Sequence, residues 1–278
     1  MAYFQCNFFS SSLLQNTDIR VIIPSPDSDE LMNGRDHRYF VDGSRFQVLY
    51  LLHGAYGDCT DWQRYTNIEK FAQEYQLAVV MPSADNSFYQ DMAHGKNVKT
   101  YITEELPRFI EYMFPVSGKR EDKFLAGLSM GGYGAYYLAL SCPEQYSRAA
   151  SLSGGLDLCG IRDGVAGGSI PGPFCFHDIF ERPDQIMGSD ADLLELYRGC
   201  RKRGCEPSLF QACGTGDFLY ESNIRIRDQL LKLGAELTYL EGPGGHDWEF
   251  WGGHIRDIME WLPLKGGAVT GESSGLTG

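Results

Sequence analysis

A chain of 278 residues, 43% of them hydrophobic, can bury a large core without staples, which excludes the small disulfide- or metal-held scaffolds. Its 37 acidic against 24 basic residues leave a formal charge of −13, which argues against nucleic acid as a partner and repels strongly anionic small molecules. No stretch has the length of a membrane span, and Met1–Cys6 lacks a basic start and a long apolar run, so neither membrane insertion nor a signal peptide is expected and a cytoplasmic location follows. Along the chain, Tyr3–Phe9 and Ile19–Pro24 alternate as strands and predict an antiparallel start to a sheet, followed by a polar connection over 27–42. Phe46 opens a buried strand that breaks at His53-Gly54-Ala55. Leu77–Pro82 is a second buried strand, and the loop after it carries Phe88 and Tyr89. Val98, Ile102, Leu106, Phe109, Ile110 and Met113 mark an amphipathic helix, in which Pro107 should cost one backbone hydrogen bond and bend it.

From residue 122 the pattern becomes strand, helix, strand, which predicts a mainly parallel sheet covered by helices on both faces. Asp122–Ala126 reads as a short buried strand and Gly132–Leu140 as a helix with small residues toward the sheet. Between them lies Gly127-Leu-Ser-Met-Gly131, a GxSxG elbow, which predicts that a strand-to-helix turn presents Ser129 as a nucleophile. Side chains at Gly127 and Gly131 would collide with the neighbouring strand and helix. An α/β-hydrolase then needs an acid and a histidine, in that order, at the ends of later strands. Pro207–Cys213 reads as a strand ending in Gly214-Thr-Gly-Asp217, and Glu236–Leu240 as one ending in Gly242-Pro-Gly-Gly-His246. Asp217 is the expected acid and His246 the expected base. Asp217 could instead cap the helix that begins near Leu219, and Asp247 is a weaker rival for the acid. His254 falls within a helical pattern, and His53 precedes the nucleophile, so packing or loop-holding roles are expected for these two. The oxyanion should be held by the amides of Met130 and Ala55, with Gly54 as the alternative to Ala55.

The segments Tyr50–Gly57 with Asp61-Trp62, Ser87–Asp91, Ala126–Gly134, Cys213–Asp217 and Gly245–Trp248 resemble the putative-esterase family of α/β-hydrolases. That family includes tributyrin and acetyl esterases, acetylxylan and feruloyl esterases, esterase D (S-formylglutathione hydrolase) and the mycolyltransferases. The similarity runs in register from about Ala2 to Leu264 and looks nearest to the tributyrin and acetyl esterase branch. The resemblance implies an α/β-hydrolase fold, a Ser129–Asp217–His246 triad, oxyanion donors at Ala55 and Met130, and a small-molecule ester as substrate. The cysteine-containing elbow associated with esterase D is absent, since Met130 and Gly132 stand there, which speaks against a glutathione thioester.

One domain over 1–265 is expected, with a lid insertion at 154–206. The insertion opens Gly-rich, through Pro171-Gly-Pro173, and closes with a helical pattern at Ala191–Tyr197; so long an unpatterned stretch implies cover for a site. Phe174, Phe176, Ile179 and Phe180 are candidate pocket walls from it, as are Phe88, Tyr89, Trp248 and Trp251 from elsewhere. The tail 266–278 is Gly, Ser and Thr rich and is expected to lack order. The eight cysteines contain no CxxC pair and are expected to be mostly reduced, although Cys200 and Cys205 around Arg201-Lys-Arg203 leave a metal or disulfide reading open. The chemistry expected is two-step acyl transfer to water by a serine carboxylesterase, with no metal and no organic cofactor. Alternatives are transfer to a sugar or polyol hydroxyl, S-formylglutathione hydrolysis, or an inactive binding protein on the same fold. A homo-oligomer is compatible with everything in the sequence.

Overall fold

The computed structural model describes residues 1–34, 39–170, 172, 174–267 and 269–270. Strands β1 (Ala2–Ser10) and β2 (Gln15–Ile23) form a hairpin, longer at its second strand than the alternation suggests because pairing extends to Ser10↔Gln15. After the short β3 (Ser44–Arg45) come β4 (Val48–Leu52), β5 (Ala78–Pro82), β6 (Lys123–Leu128), β7 (Arg148–Leu152), β8 (Ser208–Gly214) and β9 (Leu237–Gly242). The last strand, β10 (Val269–Thr270), pairs with β3; the rest of the tail from 271 lies outside the described residues. The main sheet has the order β1-β2-β5-β4-β6-β7-β8-β9, antiparallel at β1, β2 and β5 and parallel from there on. This is the α/β architecture that the sequence pattern implies.

Strands β4, β5, β6 and β8 are buried throughout and β7 at every residue but Arg148, which is why they read as near-continuous apolar runs rather than as alternation. Their two faces feed two separate hydrophobic clusters. One holds Tyr50, Leu125 and Leu209 with the helices on that side; the other holds Leu49, Phe124 and Phe210 with Trp62, Phe71 and the C-terminal helix Trp248–Trp261. The parallel arrangement delivers the ends of β4, β6, β8 and β9 to one rim of the sheet, where a site can be assembled.

Two segments differ from their sequence pattern. The amphipathic run from Val98 is a turn of α-helix, a π-helical stretch over Tyr101–Glu105 and an α-helix over Leu106–Met113. Leu106 N–H bonds back to Tyr101 O, a widened turn directly before Pro107, which has no N–H to donate to a carbonyl of the preceding turn and whose ring would crowd it in a regular α-helix. Glu105, at its end, ties down the β1–β2 turn by accepting from Ser10 Oγ (2.6 Å), Ser11 N (2.7 Å) and Ser12 N (3.0 Å). The Gly-rich start of the insertion contains a helix, Leu158–Ala166, capped by Asp157 accepting from Gly160 N–H. Gly160 and Gly164 within it lower helix propensity and hide it from a pattern search. Asp27 caps another short helix, Ser28–Met32, in the polar connection. No described helix is long and apolar enough to cross a membrane.

Candidate active site

The elbow is built by backbone approaching backbone. Ser129 sits between β6 and the helix Met130–Ser141 at φ 52°, ψ −118°, a strained conformation that costs about 1–3 kcal/mol and persists only where the surroundings hold it. They do so with three bonds: Ser129 N–H to Leu152 O (2.9 Å), and Ser129 O accepting from Gly155 N (2.9 Å) and Tyr133 N (3.2 Å). A Cβ on Gly127 would stand 2.3 Å from Gly131 O, and one on Gly131 would stand 2.5 Å from His53 O. Both glycines are therefore fixed by lack of space.

Beyond β8 and β9 the two loops zip together, Thr215 N–H to Gly242 O and Gly216 N–H to Gly244 O, both 2.9 Å. This contact carries Asp217 and His246 to the elbow. His246 Nδ1 lies 2.9 Å from Asp217 Oδ2 and 3.1 Å from Oδ1, and its Nε2 lies 2.9 Å from Ser129 Oγ. Burial disfavours the Asp217 carboxylate, but the hydrogen bonds it accepts from His246 and from Leu219 N–H outweigh it and hold the acid below its ordinary range. An ionised carboxylate can only accept, so Nδ1 carries the proton and Nε2 accepts from the serine hydroxyl. Asp217 Oδ1 also accepts from Leu219 N (2.8 Å), so the acid orients the imidazole and starts the next helix turn together. Asp247 is the N-cap of Trp248–Trp261, accepting from Phe250 N. His254 pairs with Asp257 on that same helix, away from Ser129. Cys213 beneath the acid is inert: burial and the Asp217 charge push its thiol up to about 12.

His53 props the loop after β4. Its Nδ1 donates to Gly54 O (2.7 Å) and its Nε2 accepts from Ala84 N–H (2.9 Å), and burial lowers its pKa, so it is a neutral structural imidazole. The loop it holds is close to the elbow: a Cβ on Gly54 would be 2.5 Å from Leu128 Cδ1 and 3.4 Å from Ser129 Cβ. Ala55 and Met130 border the same cavity as Ser129. Met130 is the first residue of its helix, where an amide has no intrahelical acceptor. Among the described residues neither amide has a protein acceptor, leaving both free to donate to a bound oxygen.

The cavity over Ser129 measures about 490 Å³. Phe88, Phe174 and Trp248 line it, with Trp251. Tyr89 does not reach it: its hydroxyl donates to His53 O (2.9 Å) and its ring fills the space beside Gly134, so it supports the loop from behind. Phe176 is likewise one layer back, packed on Phe88 and Phe180, while Ile179 and Phe180 border a separate cavity with Arg182. The pattern did not single out Tyr56, Asp61, Ile161, Ile170 or Phe218 as lining residues. Phe218, 59% exposed and 4.6 Å from the imidazole centroid, directly follows the acid, and that adjacency was the available signal. Among the described residues no Lys or Arg lines the cavity, and no group of three or more His, Cys, Asp or Glu is placed to hold a metal. All eight cysteines are free thiols, Cys200 and Cys205 included.

The family described as Putative esterase matches residues 29–262. An acetyl esterase of Caldicellulosiruptor saccharolyticus is 34% identical over 272 residues, spanning 94% of this chain and 98% of that protein. The chain belongs to the putative esterase family. Among solved structures, the substrate-bound fluorophosphonate-binding serine hydrolase F of Staphylococcus aureus superposes with a TM-score of 0.84 at 31% identity, over 94% of this chain and 98% of that one. The S-formylglutathione hydrolase FrmB of the same species gives 0.80 at 31% identity, with the same coverage. This member of the putative esterase family is a carboxylic ester hydrolase of the serine esterase type, and its fold is that of the α/β-hydrolases.

Proposed function

We propose that this esterase hydrolyses short-chain acyl esters of uncharged alcohols, acetyl esters of small alcohols or sugars foremost, through an acyl-enzyme on Ser129. The observation that carries the reading is the hydrogen-bonded series Ser129–His246–Asp217 opening into a cavity walled largely by Phe88, Phe174, Leu128 and Trp251. His246 Nε2 takes the hydroxyl proton as Ser129 Oγ attacks the ester carbonyl, and the Ala55 and Met130 amides receive the oxyanion. Collapse of the tetrahedral species expels the alcohol, which takes its proton from His246. Water then attacks the acyl-enzyme by the same route, returning free acid and Ser129. Asp217 keeps the imidazole in the required tautomer and offsets the charge it acquires.

Residues 1–265 serve as one catalytic domain, and the insertion 154–206 is the acyl-side cover, supported by the position of Ile161, Ile170 and Phe174 on the cavity wall. The likeness to FrmB supports a second reading, hydrolysis of S-formylglutathione. Against it stand the carboxylates of Asp61 and Asp247 beside the cavity, with no cation among the described residues there to receive the carboxylates of glutathione. Parallel kcat/KM measurements on a series of p-nitrophenyl esters, acetylated sugars and S-formylglutathione test both. A preference for acetyl esters over longer acyl chains and over the thioester is expected; the reverse order overturns the substrate assignment. Added polyol should leave free acetate as the main product, and acetylated polyol would point to transfer instead.

A further inference from the structure

The two edges of the main sheet are finished differently. β9 is six residues long, contains Glu241 and follows directly on Glu236. β1 is nine residues long, contains no Asp, Glu, Lys, Arg or Pro, and among the described residues pairs only with β2, in unbroken register from Ala2↔Ile23 to Ser10↔Gln15. An edge strand turns every second residue's N–H and C=O outward, and edges that stay single are blunted by charges, prolines or bulges. β1 has none of these, in a chain whose formal charge is −13.

The order of side chains along this edge states what fits it. About Cys6 the strand is chemically palindromic: Gln5 and Asn7 are amides, Phe4 and Phe8 are rings, Tyr3 and Phe9 are rings, and Ala2 and Ser10 are small. A two-fold contact requires a self-complementary surface. Antiparallel pairing centred on Cys6 sets Gln5 against the partner's Asn7, Phe4 against the partner's Phe8 and Tyr3 against the partner's Phe9, each on a shared face of the sheet. It also covers Phe4 and Phe9, now 40% and 63% exposed, and brings no like charges together. We infer that β1 is the contact of a two-fold homodimer in which two sheets join edge to edge through this strand. The inference does not rest on the substrate assignment.

Sedimentation equilibrium of the full chain at tens of micromolar is expected to give twice the 31.1 kDa of one chain. Gln5→Lys with Asn7→Lys opposes cations at both ends of the contact and should yield a monomer. Its ester turnover per chain should be unchanged, because β1 lies four strands away from β6 and Ser129, which also reports that the variant is folded. Gln5→Lys with Asn7→Glu opposes unlike charges and should restore the dimer. In antiparallel pairing two Cα atoms directly opposite are about 4.5–5.5 Å apart, within disulfide reach. Diamide should therefore take two electrons and two protons from the paired Cys6 thiols, becoming the hydrazine and leaving a Cys6–Cys6 cross-link that Cys6→Ser abolishes. A monomeric wild type, a double-lysine variant that stays dimeric, or cross-linking that bypasses Cys6 each overturns the inference; the middle outcome would assign the dimer to another surface.

Discussion

On the elbow side of the cavity, backbone packs directly on backbone: Gly127 against Gly131, Gly131 against His53 and Leu52, and Ser129 bonded to Leu152 and Gly155. On the insertion side, the wall is made of side chains, Ile161 from a nine-residue helix and Ile170 and Phe174 from the irregular segment after it. The first wall tolerates no added atom, and the second can lose atoms and leave a larger cavity. Chemistry is thus expected to depend on the elbow and acyl-chain preference on the insertion. Four predictions test that division, and a fifth tests a turn remote from both walls.

Ser129→Ala should lower turnover of an acetate ester by about 10⁴-fold or more while leaving circular dichroism and the cavity intact. Retained turnover would remove the elbow from the chemistry. Asp217→Asn should cost about 10³- to 10⁴-fold in kcat, because an amide can donate to Nδ1 and favour the wrong tautomer. Gly131→Ala should destabilise by about 3 kcal/mol or more, since its Cβ would meet two backbone oxygens that cannot move aside, His53 O at 2.5 Å and Leu52 O at 2.6 Å. A melting temperature equal to wild type would show that the elbow has slack. By contrast, Phe174→Ala should fold normally and shift kcat/KM toward longer acyl chains by about tenfold, the scale of a few methylenes in an apolar pocket. An unchanged chain-length profile would detach the insertion from specificity.

The smallest effect lies at the β1–β2 turn, toward one edge of the sheet. Burial alone would raise the Glu105 pKa, but its bonds from Ser10, Ser11 and Ser12 hold it at about 2. A carboxylate depressed in the folded state contributes stability that is complete above its unfolded value, about 4.3, and fades as pH falls through the folded one. Glu105→Gln should therefore lower the melting temperature slightly at neutral pH, with the difference from wild type shrinking between about pH 4 and pH 2. A constant difference across that range would show that the carboxylate's charge does not stabilise the turn.

Local pattern made much of the protein legible. Continuous apolar runs marked the buried strands, and GxSxG, Gly-Thr-Gly-Asp and Gly-Gly-His stood after three of them in the order the fold requires. Chain order also argued His53 out of the base position, and the structure gives that imidazole two backbone partners. What local pattern could not rank was adjacent aromatics in loops. Phe88 and Tyr89 both have positive φ, and the resulting turn sends one ring to the cavity and the other behind the His53 loop. Phe176 is hidden by Phe88 and Phe174, a matter of layers that come from different parts of the chain.

The sequence by itself determined the α/β class, the strand-end positions of Ser129, Asp217 and His246, and the uncharged palindrome of β1, because periodicity, turn chemistry and composition are properties of neighbours along the chain. Only the tertiary structure decided that Ser129 Oγ and His246 Nε2, 117 residues apart, stand 2.9 Å from each other, and that β1 ends as an open edge. Those facts depend on which loops zip together and which strands find partners, and such long-range contacts are set by packing of the whole sheet rather than by any one segment.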